Sequence, residues 1–344
     1  MNKSNIELKL EDKIQFRALQ NSMKSDLLLE EVKSEYFNDK IIITQPETIY
    51  RINYDYQRFY CRIIKDSNGN ISDYIVYPSL TTIIKKNMPT DKFLLKWWSD
   101  LGYDRASIEM SKSASYGTLL HILFAEILRG STVNLNETNL SEIIKIHTQY
   151  DRWYSEINIR EWIKNLKQDL IGFIIWINDY EIDPIGIEYI EYSDEKRYAT
   201  AIDLIAYARI KKDADKTIIV CDFKSGRKNF YDEYPIQLRA CTDLWNEKHP
   251  EYIANEFYNY GCKDYRIPIG KTVTQYRFER QTEKTICQRW TEYLSIYHRE
   301  HMPSKDEITK RLIIDEIPIS KDIEIGTVFK EVDIIKDRFS GGDF

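Results

Sequence analysis

The chain has 344 residues, 42% hydrophobic and 30% charged, with a net charge of −6. That is an ordinary globular balance, with apolar material for a real core and length for one large domain with insertions or for two domains. An acidic balance does not advertise nucleic-acid binding, although binding depends on local charge and not on the total.

Residues 1–40 are charged and mostly helical in pattern, from Leu8 to Tyr36. Alternation then takes over from Thr48 through Lys65. Asn68-Gly69 separates it from Tyr74–Tyr77, a strong short hairpin signal. Ser79, after Pro78, is the expected cap of a helix over Leu80–Lys85. Residues 91–129 read as helices, 131–146 as a connection leading into a helix, and Arg152–Tyr180 as a long helix. Strands are expected at Ile185–Tyr192, Arg197–Ala208 and Thr217–Lys224. A helix over Gln237–Glu247, a strand over Val273–Arg280 and a helix over Thr282–Glu300 follow. The order predicts an α/β fold with a mixed central sheet flanked by helices.

No apolar run approaches a membrane span, and the N-terminus shows no signal-peptide core, so a cytoplasmic protein with no membrane partner is expected. The five cysteines, Cys61, Cys221, Cys241, Cys262 and Cys287, form no C-x-x-C pair. That argues against zinc, an iron–sulfur cluster or a disulfide framework, and buried thiols are expected instead.

Chemistry concentrates at Thr217-Ile-Ile-Val-Cys-Asp-Phe-Lys224. On a strand, Asp222 and Lys224 share a face. If the preceding run forms a hairpin with this one through the turn Lys211–Lys216, Asp203 joins them, opposite or diagonal. Two carboxylates and a lysine on one strand face suit metal-dependent phosphodiester cleavage. Read alone, Asp222 and Lys224 are better taken as pairing with each other or lying on a wet sheet face, because isolated Asp-x-Lys tripeptides are common. His121, in a helix apolar nearly all round, equally fits a satisfied core histidine. Glu126 stands five residues on, about 140° round the helix, and need not face the same site. Local basic candidates for DNA are Lys211, Lys212, Arg227, Lys228, Arg239, Lys271, Arg277 and Arg280. Trp97-Trp98 could stack bases, although packing is the plainer use.

Taken in series, these segments resemble the PD-(D/E)XK nuclease superfamily, in its RecB-like, phage-type exonuclease branch. Gly117-Thr-Leu-Leu-His121 is similar to that branch's Gly-x-x-x-His helix motif. Ala199-Thr-Ala-Ile-Asp203 is similar to its Gly-x-x-Asp strand motif, with Glu188 in the strand before. Asp222-Phe-Lys224-Ser-Gly226 is similar to its Asp-x-Lys-(Ser/Thr)-Gly motif, and Gln237 to the start of its Gln-x-x-x-Tyr helix. Tyr77-Pro-Ser-Leu-Thr-Thr-Ile-Ile84 resembles the segment that opens such domains, so the likeness runs from about Tyr77 to Trp245. Two positions depart from the pattern: Thr200 stands for the strand motif's glycine and Cys241 for the helix motif's tyrosine.

The resemblance implies a restriction-endonuclease-like core over 77–300, an N-terminal helical and hairpin extension over 1–76, and a charged tail over 301–344. It implies Mg2+ or Mn2+ held by His121, Asp203, Asp222 and the Phe223 carbonyl, with Glu126 and Glu188 as outer candidates. Lys224 would position water and stabilise the transition state, and Gln237 would hold the lysine or the DNA end. Arg227, Lys228 and Arg239 would contact DNA. The expected function is a metal-dependent DNA exonuclease in replication, recombination or repair, in the host cytoplasm if phage-encoded. It would act as a homo-oligomer or with a helicase or recombinase partner. A structure-specific or nicking endonuclease, or a nuclease-derived DNA-binding subunit, is the alternative.

Overall fold

The computed structural model describes residues 31–32, 49–54, 57–90, 92–130, 133–149, 151, 153–211, 213–226, 233–262, 276–281 and 289–309. In chain order the strands are β1 (Glu31–Val32), β2 (Ile49–Tyr54), β3 (Gln57–Lys65), β4 (Ile71–Pro78), β5 (Val133–Asn134), β6 (Asp183–Ser193), β7 (Tyr198–Ala208), β8 (Thr217–Lys224), β9 (Glu256–Cys262) and β10 (Tyr276–Arg280). The helices are α1 (Leu80–Asn87), α2 (Lys92–Leu101), α3 (Tyr103–Leu128), α4 (Glu137–Thr148), α5 (Ile159–Asp179), α6 (Glu233–Lys248), α7 (Trp290–Glu300) and α8 (Lys305–Thr309). None of the helices among the described residues is long and apolar enough to cross a membrane.

The central sheet runs β10-β9-β8-β7-β6 and is mixed. β6, β7 and β8 form an antiparallel meander, while β9 lies parallel to β8. A parallel neighbour needs a crossover connection, and α6 supplies it. Helices α3, α4 and α5 cover one face, where Leu120, Phe124, Phe173 and Trp176 meet Leu204, Cys221 and Phe223. Helices α1, α6 and α7 cover the other, where Ile83, Leu244, Trp245 and Tyr297 meet Ile202, Ile205 and Val220. The sheet thus sits between two helical layers, as the sequence predicts.

A smaller sheet, β2-β3-β4, leans on this core through Ile49, Tyr60 and Tyr77 against Ile190 and Ala199. Its hairpin turns at Asp66–Asn70, where the Asp66 carboxylate accepts from the Asn68 and Asn70 N–H groups and Gly69 has a φ of 84°. Ser79 caps α1 as expected, its Oγ accepting from the Thr82 N–H at 3.1 Å. β4 runs across the boundary expected at Tyr77, and Ile308 of α8 packs on Ile52, Phe59 and Val76.

Several elements differ from the sequence reading. Glu31–Val32, expected within a helix, pairs with β5; the remainder of Leu8–Tyr36 lies outside the described residues. The helix expected from Arg152 begins only at Ile159, where the Asn158 side chain accepts from the Glu161 N–H, after a 3-10 turn at Tyr154–Glu156. β9 was not anticipated at all. Nearly every residue of it is buried, so its polar and apolar positions do not alternate. The four described cysteines are buried free thiols, and Cys287 lies outside the described residues.

The aromatic packing beneath the site holds β8 to its helical cover. The Phe173 ring stacks on Phe124 at 3.8 Å between centroids and meets Phe223 and Tyr260 edge-on at 5.4 and 5.2 Å. Phe173→Ala is expected to cost about 3–5 kcal/mol by urea unfolding. A loss under about 1 kcal/mol would show that the layer is not anchored there.

Candidate active site

The local geometry begins with a break in two strands. On β7, Ile202 packs into one core while Leu204, two residues on, packs into the other, so the face alternation changes at Asp203. The register flanked by Ile187↔Leu204 and Tyr189↔Ile202 places Glu188 opposite Asp203, and Glu188 has a φ of 48°. A non-glycine residue there is strained by roughly 1–3 kcal/mol, and such strain collects at functional sites. On the other side, the β7–β8 ladder runs only as far as Leu204↔Cys221. Asp203 fills the opening: its Oδ2 accepts from the Phe223 N–H at 2.7 Å.

His121 reaches the same place from α3, whose Leu119, Leu120, Leu123 and Phe124 are buried in the core. Its Nε2 lies 3.1 Å from the Phe223 carbonyl oxygen. Its Nδ1 lies 3.5 Å from Glu188 Oε1 and 3.6 Å from Asp203 Oδ1. A Cβ on Gly117, one turn earlier, would stand 2.9 Å from Ser225 Oγ, so α3 passes close to the loop after β8 there. Ligand atoms of His121, Glu188 and Asp203 all lie within 4.8 Å of one another. One imidazole and two carboxylates at that separation could hold a divalent cation.

Beside this cluster lies a second network. Lys224 Nζ is 2.7 Å from Asp222 Oδ2 and donates to Gln237 Oε1 at 3.0 Å. Gln237 Nε2 donates to Asp222 Oδ1 at 2.8 Å, and Asn259 Nδ2 to Asp222 Oδ2 at 3.0 Å. The ammonium also sits 4.1 Å from the centre of the Tyr234 ring. Gln237 is thus both donor to the carboxylate and acceptor from the lysine, which fixes the pair's orientation.

Charge crowding shows in the titration of the groups. Burial works against a charged His121 ring, but the Asp203 and Glu188 carboxylates, with Asp222 behind them, outweigh it and raise the ring from 6.5 to about 9. Burial raises Asp203 from 3.8 to about 7; His121 opposes the rise, and repulsion from Asp222 and Glu188 adds to it. Burial lowers the Lys224 value, yet Asp222 and Tyr234 more than reverse this and leave it above its ordinary value. The lysine is therefore a fixed positive charge at neutral pH.

The structure brings together His121, Glu188, Asp203, Asp222, Phe223, Lys224 and Gln237 of the expected residues. Glu126 goes elsewhere: it is buried, and its Oε1 meets Arg129 Nη1 at 3.1 Å. Arg239 pairs along α6 with Asp243 at 2.9 Å. Arg227, Lys228, Lys212 and Lys271 lie outside the described residues. Arg277, from β10, donates to the Gly226 carbonyl just past Lys224. The residue missed by sequence reasoning is Asn259, because its strand was missed. The two departures from the motif pattern, Thr200 and Cys241, are both buried, and Thr200 Oγ1 donates to the Ala201 carbonyl at 3.2 Å. Trp98 serves packing, edge-on to Tyr103 at 5.4 Å and donating to Met110 Sδ.

No family model matches the chain, and no curated protein does either.

Proposed function

We propose that this chain is a metal-dependent DNA nuclease with a restriction-endonuclease-like core, of the RecB-like branch of the PD-(D/E)XK superfamily, acting at DNA ends. The observation that carries the reading is the joining of two clusters: ligand atoms of His121, Glu188 and Asp203 within 4.8 Å of one another, beside an ammonium held by Asp222 and Gln237. His121, Glu188 and Asp203 would hold Mg2+ or Mn2+, with Asp222 and the Phe223 carbonyl at the margin. A bound cation supplies a water of lowered pKa and a positive charge against the phosphate.

The protein's own groups do the rest. With Nε2–H donating to the Phe223 carbonyl, a neutral His121 would leave Nδ1 facing the two carboxylates, which is the tautomer a ligand needs. Asp222 and Gln237 keep Lys224 charged and in place, so its N–H groups can orient a water and steady the charge that builds on phosphate oxygens. A neutral His121 leaves the cluster net negative, which favours a divalent cation.

Cation binding and protonation compete here. The folded values of His121 and Asp203 are both raised, so the stability their protons bring is fully present below the unfolded values of 6.5 and 3.8. It is lost as pH rises through about 7 for Asp203 and about 9 for His121. The rise in melting temperature produced by Mn2+ over EDTA should therefore grow from pH 5.5 to pH 8.5. A rise that is constant with pH would place the cation on other groups.

The test of function is a time course with purified protein, Mg2+ or Mn2+, and linear against covalently closed circular DNA. Loss of the linear form alone supports the exonuclease reading. Cutting of the circle would replace it with an endonuclease, and binding without cleavage would replace it with a DNA-binding subunit.

A further inference from the structure

Asn259 enters the site from β9. In the parallel ladder, Asp222 stands beside Asn259 and Lys224 beside Gly261. In-register neighbours point to the same face, so the Asn259 amide lies against the Asp222 carboxylate, while Gly261 offers no side chain to crowd Lys224. Asn259 Nδ2 donates at 3.0 Å to Asp222 Oδ2, the same oxygen that meets Lys224 Nζ at 2.7 Å.

The other end of that amide is the informative one. Asn259 is fully buried, and its Oδ1 has no hydrogen-bond partner among the described residues. An orphaned buried acceptor costs stability that an apolar side chain of the same shape would not. Turning the amide over would set its oxygen against a carboxylate oxygen, so the orientation is fixed. The residue therefore carries a folding liability while, among the described residues, making one side-chain hydrogen bond, to Asp222.

We propose that Asn259 is a positioning residue: its amide fixes the Asp222 carboxylate and, through it, the Lys224 ammonium. The effect on rate rests on the nuclease reading; the effect on geometry does not. Asn259→Leu keeps the branching of the side chain, with two somewhat larger methyl groups, and removes both amide ends. Asn259→Asp keeps the shape and sets a like charge against Asp222.

The experiment combines crystal structures of both variants with steady-state cleavage kinetics, melting curves and Mn2+ titration calorimetry. In Asn259→Leu the Asp222 carboxylate is expected to turn and the Lys224 Nζ to shift. The value of kcat should fall about 10- to 100-fold, as for other partners that orient a reactive group. KM, Mn2+ affinity and melting temperature should not fall with it. Asn259→Asp should lose more rate than Asn259→Leu. An unmoved Asp222–Lys224–Gln237 network would overturn the proposal, as would a rate loss matched by a lower melting temperature or weaker Mn2+ binding. If the wild-type protein cleaves no DNA, the nuclease reading fails, and the crystal structures still decide the positioning role.

Discussion

Asp203→Asn is expected to abolish cation-dependent cleavage while leaving the fold intact. The side chain has two jobs that this substitution separates. Its Oδ2 accepts the Phe223 N–H where β7 and β8 part, and an amide oxygen can do the same. Its Oδ1 faces His121 and belongs to the group that could hold a cation, and there the amide brings no charge. Activity should fall by roughly 10³-fold or more, about 4 kcal/mol of transition-state stabilisation. Burial and the neighbouring carboxylates raise the Asp203 value to about 7, so its charged form is a liability to the cation-free fold above that pH. Mn2+ should no longer raise the melting temperature of the variant. Full activity, or an unchanged response to Mn2+, would remove Asp203 from the site.

Lys224→Met should give the second-largest loss, of a different kind. The ammonium lies between Asp222 Oδ2 and Gln237 Oε1, and a protonated lysine has no lone pair for a cation. Single-turnover rate at saturating Mg2+ should drop by about 10²–10³-fold, the range for removing one preorganised electrostatic donor. Cation affinity should hold or tighten, because the cluster becomes more negative. Asp222 keeps its hydrogen bonds from Gln237 and Asn259, so the fold should lose only about 1–3 kcal/mol. A rate loss explained by weaker cation binding would assign Lys224 a structural part instead.

The hairpin that carries Asp203, Asp222 and Lys224 was legible because its cues are local. Two apolar runs flank a polar turn, and strand periodicity does the rest. The Ser79 cap and the Asn68-Gly69 turn were legible for the same reason. Glu188 could be named from resemblance, but not its left-handed backbone, since nothing in Ile187-Glu-Tyr189 announces a positive φ. β9 and Asn259 escaped because a strand buried on both faces loses its alternation, and its pairing partner lies 37 residues away across a helix. Glu126 is the converse case. The resemblance offers it as an outer candidate, while the five-residue step, about 140° round the helix, turns it aside to Arg129.

The most direct test of the account is cleavage of end-labelled linear DNA by wild-type protein and Asp203→Asn, each with EDTA, Mg2+ or Mn2+. The wild type is expected to shorten the labelled strand or release its label with either cation and not with EDTA, and the variant to do neither under any condition. Cleavage that survives EDTA, or that Asp203→Asn carries out as fast as the wild type, would contradict it.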